Sequence, residues 1–204
     1  MKDPTIHHLF PTPVYFSHLE RNFTALELKF VKKNKKDSYQ NQGNITSNNN
    51  CVLNEKPFLD IKKQLDLKIK EYFDKIVCSS NKITPYITQS WLNYTDKNQY
   101  HHKHSHANSL ISGVLYINSD KKFDKIMFFK GGCQKIHLAV KEYNSFNSNS
   151  WWFSVETGDI VLFPSSLTHM VETKKGDNTR VSLSFNVFIK GTLGSNKNLT
   201  ELTL

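Results

Sequence analysis

The sequence is short of several things, and each shortage closes off a class of protein. No run approaches the ~18–20 apolar residues that a membrane-crossing helix needs. Cysteine is scarce. Cys51, Cys78 and Cys133 stand far apart and no CxxC occurs, so neither a disulfide framework nor a zinc knuckle is expected. The start, Met1-Lys2-Asp3-Pro4 followed by His7-His8, has no apolar signal core, and a cytoplasmic protein is expected. No internal repeat and no long linker interrupt the chain. Its 204 residues fit one domain with a respectable core.

Aromatic residues and positive charge are plentiful. Fourteen Phe, eight Tyr and three Trp favour a packed, β-rich interior. The formal charge is +9, much of it in Lys32-Lys33-Asn34-Lys35-Lys36 and in the stretch from Lys62 to Lys75. Such a balance fits a solvated lysine surface. It keeps nucleic acid open as a partner, ranked below a protein side chain or a small metabolite.

Residues 1–83 read as a lead-in with supporting helices, 84–190 as a β core and 191–204 as a tail. Phe10-Pro11-Thr12-Pro13-Val14-Tyr15 predicts extended chain, because proline fixes φ and disfavours helix at its predecessor. A short helix is predicted over Thr24–Lys33, with Leu26 and Phe30 on one side. Residues 38–50 are polar and read as a surface loop or a mobile lid. From Pro57 to Val77, Phe58, Ile61, Leu65, Ile69, Tyr72 and Ile76 recur at helical steps with lysines opposite, which predicts a helix covering a sheet.

From residue 84 the texture becomes short β-branched and aromatic runs separated by turn residues. Strands are predicted at Tyr86–Tyr94, Leu110–Asn118, Lys125–Phe129, Trp151–Glu156, Asp159–Phe163, Thr168–Thr173 and Thr179–Ile189. Strands of this number and length point to a mainly β fold with flanking helices, a sandwich or jelly roll.

Four of the nine histidines lie in His101-His102-Lys103-His104-Ser105-His106. Residues two apart on a strand point the same way, so His104 and His106 can approach one ion, and so can His102 and His104. A third ligand must come from a distant strand, and His169 is the candidate. Neutral imidazoles suit Fe, Zn, Cu and Ni. An accidental surface cluster explains the same run equally well.

Arg180 shifts that balance. In Thr179-Arg180-Val181-Ser182-Leu183-Ser184-Phe185-Asn186-Val187, Arg180, Ser182, Ser184 and Asn186 share one face. A half-exposed strand with its polar face in water is the common case. The alternative is a polar barrel interior, in which an arginine fork beside a serine hydroxyl takes a carboxylate in bidentate fashion.

A His-x-(acid or His) pair, a distant His and Arg-x-Ser shortly after it resemble the Fe(II)/2-oxoglutarate oxygenases. Ser90-Trp91-Leu92-Asn93-Tyr94, His104-Ser105-His106-Ala107-Asn108-Ser109, Ser112-Gly113-Val114-Leu115-Tyr116, Gly158-Asp159 through Phe163-Pro164-Ser165, His169 and Arg180-Val181-Ser182 resemble an uncharacterised subgroup of marine bacteria and their phages. Phe10-Pro11-Thr12-Pro13 fits the same subgroup. The resemblance implies a double-stranded β-helix and the cytoplasm of a bacterial host, a phage-infected one included. It implies Fe(II) on His104, His106 and His169, with His102 as the fallback for the middle position. His106 departs from the wider pattern, where that position is commonly Asp and the site is two histidines and one carboxylate.

Similarity to prolyl hydroxylases implies a co-substrate site as well. Arg180 and Ser182 would hold the distal carboxylate with Tyr116, and Tyr94 or its neighbour Asn93 would lie nearby. The implied reaction uses O2 and 2-oxoglutarate to hydroxylate a C–H bond, releasing succinate and CO2. A protein side chain such as proline, or a small metabolite, is the expected substrate. Other readings are a non-catalytic or three-His metal protein that ignores 2-oxoglutarate, and a nucleic-acid demethylase. His101, His102 and His137 are expected at the surface or behind the ligands, and Trp151 and Trp152 packed in the core in preference to lining a pocket mouth.

Overall fold

A computed structural model describes residues 3–132 and 138–204. Cys133 and His137 lie outside the described residues. The chain enters through strand β1 (Tyr15–His18) and helix α1 (Ala25–Lys36). It continues through the short strands β2 (Ser38–Gln40) and β3 (Ile45–Ser47) and helix α2 (Leu59–Tyr72). The strands β4 (Ile83–Thr95), β5 (His101–His104), β6 (Ile111–Asn118), β7 (Lys125–Phe129) and β8 (Ser150–Ser154) follow. β9 (Asp159–Pro164), β10 (His169–Val171), β11 (Arg180–Leu193) and β12 (Leu202–Thr203) complete the chain.

The strands form two antiparallel sheets. The major one runs β1-β9-β6-β11-β4-β3-β2, with β12 added to β11, and the minor one runs β5-β10-β7-β8. This is a jelly roll. Its sheets face each other, and both faces of the major sheet are buried. On the outer face Leu92, Tyr94, Leu115, Ile117, Leu183 and Phe185 pack with Val31 of α1 and with Ile61, Leu65, Ile69 and Tyr72 of α2. On the inner face Val114, Tyr116, Val161 and Phe163 meet Ile126 and Phe128 of the minor sheet.

Local chemistry explains the helices. Thr24 caps α1 through a capping box: its hydroxyl accepts from the Glu27 N–H, while the Glu27 carboxylate accepts from the Thr24 N–H at 2.7 Å. Arg21 holds that carboxylate at 2.6 Å. The buried stripe of α1 is Glu27, Val31 and Asn34; Phe30 packs at its edge, and Leu26 is exposed. α2 buries the predicted stripe as far as Tyr72. The chain then widens into a π turn over Phe73–Val77, closed by the Cys78 N–H on the Phe73 carbonyl. That wider turn carries Ile76 off the apolar face, and it is exposed.

Three expectations are corrected. The polar stretch 38–50 is no plain loop, since β2 and β3 within it pair with each other and extend the sheet at β4. Trp151 and Trp152 are 43% and 49% exposed. β8 is an edge strand, and the Lys125 ammonium sits 3.8 Å from the Trp152 ring instead of core atoms. The lysine surface is not uniform either, because Lys174 is fully buried.

Two backbone devices set the register of the major sheet. Gly113 lies opposite Phe185, and a Cβ there would overlap the Phe185 ring, so glycine alone lets that ring lie across the strand. Between the pairs Asn186↔Gln89 and Val187↔Ile87, β4 carries one extra residue, Thr88, whose hydroxyl donates to the Asn186 carbonyl at 3.2 Å. This is a β-bulge.

Candidate metal centre and anion site

A cleft between the sheets is lined by Trp91, Asn93, His101, His104, His106, Ser112, Tyr116, His169, Arg180, Ser182 and Ser184, among others. The minor sheet supplies the histidine end. His104 closes β5, His169 opens β10, and the two stand directly opposite in antiparallel register. Opposed residues of this kind bring their side chains together. His106 follows β5 by two residues and is tied down by its N–H on the Ser165 carbonyl at 2.9 Å. The ring centroids are 4.3 Å apart for His104 and His169, 5.0 Å for His104 and His106, and 5.3 Å for His106 and His169. One ligand atom from each of the three lies within 4.8 Å of the others.

The tautomers are set from behind. His104 Nδ1 is 2.8 Å from the His102 carbonyl oxygen, and His169 Nδ1 is 3.0 Å from that of Leu167. A carbonyl only accepts, so each Nδ1 carries the proton and each Nε2 keeps its lone pair. Hydrogen bonds of this kind orient imidazoles for metal binding. Burial, then the neighbouring imidazoles, pushes the His169 pKa down to about 3 and that of His106 to about 4. His104 is lowered for the same first reason. All three are therefore neutral at pH 7, as ligands must be.

His102 does not join His169. It groups with His101 and His104, and its buried Nδ1 has no hydrogen-bond partner among the described residues. His101, expected at the surface or behind the ligands, lines the cleft and stacks on His104 with centroids 4.7 Å apart. Burial lowers its pKa to about 2.

The major sheet supplies the other end. Arg180 opens β11 and is 3% exposed. Its Nη2 donates to Thr95 Oγ1 at 2.9 Å, across the register from β4. Its Nη1 stands 3.7 Å from Asp124 Oδ1, beyond hydrogen-bond distance. Burial lowers the arginine pKa, opposed by Tyr116 and Asp124, yet a guanidinium remains charged. Ser182 follows two residues on, opposite Tyr116, and both line the cleft. Burial raises the Tyr116 pKa.

Asn93 and Tyr94 part company. Asn93 faces the cleft, donating to Ser184 Oγ at 3.0 Å and accepting from Thr46 Oγ1 at 3.0 Å. Tyr94 is adjacent on the strand and points the other way. Its hydroxyl donates to the Val31 carbonyl at 2.7 Å, deep in the helix-covered core. The expected role of Tyr94 beside the co-substrate is thereby corrected: neighbours on a strand face opposite sides. Thr95, Asp124 and Lys174 are the site's unread members. Asp124 and Lys174 lie in turn-like sequence, where charge ordinarily signals solvent.

Residues 89–186, just under half of the chain and carrying all the candidate ligands, match the model of the family described as "Putative 2OG-Fe(II) oxygenase". No curated protein matches the sequence. Solved structures share the fold. One is an oxidoreductase of the 2OG-Fe(II) oxygenase family from Burkholderia pseudomallei, at 12% identity and TM-score 0.56, covering 85% of this chain and 83% of that one. Another is a Pseudomonas putida prolyl-4-hydroxylase, at 9% identity and TM-score 0.57, covering 86% and 92%. A third is HygX from Streptomyces hygroscopicus with nickel, 2-oxoglutarate and hygromycin B bound, at 11% identity and TM-score 0.54, covering 86% and 82%.

Proposed function

We propose that this chain, a 2-oxoglutarate-dependent oxidoreductase of the 2OG-Fe(II) oxygenases, holds Fe(II) on His104, His106 and His169. Arg180, with Ser182 and Tyr116, takes the distal carboxylate of 2-oxoglutarate. The observation that carries this reading is the pairing of two different ends in one cleft. Three neutral imidazoles converge at one end, and the carbonyls behind His104 and His169 leave their Nε2 lone pairs free. A buried guanidinium with uncommitted donors stands at the other. A metal-only protein has no need of the second end.

The donor set fits iron: three imidazole nitrogens, from β5, β10 and the segment just after β5, leaving room for further ligands. When bound, iron supplies O2 activation and the oxidative decarboxylation of 2-oxoglutarate to succinate and CO2. The protein's work is binding, orientation and shielding. Arg180 fixes the co-substrate by a charge-assisted contact. Ser182 adds a hydroxyl donor. Tyr116, kept neutral by burial, donates without adding charge. Val114, Ile126 and Phe163 form the apolar wall that excludes water. The outcome is hydroxylation of a C–H bond on a protein side chain such as proline, or on a small metabolite. The prolyl-4-hydroxylase and HygX likenesses support these two classes respectively.

Anaerobic addition of Fe(II) and then 2-oxoglutarate tests the assignment through the visible charge-transfer band of the chelate. Arg180→Ala should leave iron binding intact and raise the 2-oxoglutarate needed by roughly 10- to 100-fold, the loss expected for a hydrogen bond to a charged group. No iron retained and no band in the parent protein would sink the reading.

A further inference from the structure

Beside Arg180 lies a second buried cation to which the proposed function gives no part. Lys174 sits between β10 and β11 with its side chain 0% exposed. Its ammonium donates to both oxygens of Asp124, at 3.0 and 3.2 Å, and to Asn178 Oδ1 at 3.0 Å. Asp124 is equally buried, and its Oδ2 also accepts the Asp120 N–H at 2.8 Å. Both carboxylate oxygens are thus taken. A guanidinium within reach of an unsatisfied buried carboxylate closes on it in a bidentate pair. Arg180 does not close: Nη1 stays 3.7 Å from Asp124 Oδ1, and Nη2 is engaged by Thr95.

We infer that Lys174 is a positioning residue for the co-substrate: by saturating Asp124, it keeps Arg180 free to take the distal carboxylate of 2-oxoglutarate. The inference rests on the role proposed for Arg180. Charge counting supports it. Arg180 and Lys174 against Asp124 leave a net +1 in a buried region, which one carboxylate neutralises. Without Lys174 the sum is zero, and Arg180 already has its anion. A lysine serving only to tie the 172–179 loop to the Asp124 turn would stabilise the fold, with no preference among ligands.

The test is an anaerobic titration of the iron-loaded protein with 2-oxoglutarate and, in parallel, with oxalate, which chelates metal but has no distal carboxylate. Lys174→Met should weaken 2-oxoglutarate roughly ten-fold or more, as when a charge-assisted hydrogen bond is withdrawn, and should leave oxalate affinity unchanged. The double variant Asp124→Asn with Lys174→Met removes the competing anion along with its partner and should restore most of the affinity. Unchanged 2-oxoglutarate affinity in Lys174→Met, or equal losses for both ligands, overturns the inference. Should Lys174→Met not fold, Asp124→Asn alone decides. It is expected to bind 2-oxoglutarate at least as tightly as the parent, and a ten-fold loss would mean that Asp124 itself holds Arg180 in place. Failure of the parent protein to bind 2-oxoglutarate at all overturns instead the reading on which the inference stands.

Discussion

The two faces of the major sheet are made by the same strands and do opposite things. On β11, Arg180, Ser182 and Ser184 turn inward to the cleft, while Val181, Leu183 and Phe185 turn outward to the helices. The outward face is filled by apolar side chains and stabilises through area removed from water. The inward face keeps polar groups whose partners are only partly within the protein. Along β11, stability and ligand binding are segregated by strand parity. A substitution on one side should register in one kind of measurement and be silent in the other.

His106→Ala, at the ligand end of the inner side, should have the largest effect. Iron affinity should fall by more than ~100-fold, beyond the loss typical of outer partners of metal ligands, with little change in thermal unfolding of the metal-free protein. Unchanged iron affinity would hand the third position to His102 or to water. Leu183→Ala, on the outer face and fully buried, should cost about 2–5 kcal/mol in denaturant unfolding. Its folded fraction should bind iron and 2-oxoglutarate as the parent does, and altered ligand affinity would break the segregation.

Acidity should sharpen the contrast. His106 and His169 have folded pKa values of about 4 and about 3, below the ~6.5 of an unfolded histidine. Between those limits the unfolded chain binds more protons, so stability of the metal-free protein should fall as pH drops from about 6.5 toward 4. Chemical unfolding across that range checks the slope, and the His106→Ala protein should show a shallower one. The smallest effect is expected from Tyr94→Phe. It loses one buried hydrogen bond to Val31, about 1 kcal/mol, with 2-oxoglutarate affinity unchanged. A weakened co-substrate would restore Tyr94 to the role that the prolyl-hydroxylase likeness implies for it.

Periodicity carried most of what the sequence disclosed. The α2 stripe was readable because Ile61, Leu65, Ile69 and Tyr72 keep helical spacing, and the two faces of β11 because eight residues alternate without a break. His104 and His169 were readable as residues but not as opposites, since register between distant strands depends on how the whole sheet closes. Parity alone forbade Asn93 and Tyr94 from sharing a side, yet it did not say which one faced in. Packing under α1 decided that. The pairing of β2 and β3 was not legible because each strand is three residues long, too short to set an alternation, in a stretch otherwise rich in Asn, Gln and Ser. Lys174 and Asp124 escaped because each has the sequence surroundings of a solvated charge, and only their mutual satisfaction lets them be buried.

Thr88 has a consequence of its own. Strand β4 is written in two reading frames. Downstream of Thr88, residues 90, 92 and 94 face the helices, and upstream of it Ile87 and Ile83 do so instead. One supernumerary threonine converts even into odd. Deleting it would remove the bulge and leave Ile87 and Ile83 facing the helices, whereas flattening the bulge with Thr88 kept in the ladder would send Ile87 and Ile83 to the cleft side and Tyr86 to the helices. For this strand the punctuation matters as much as the letters.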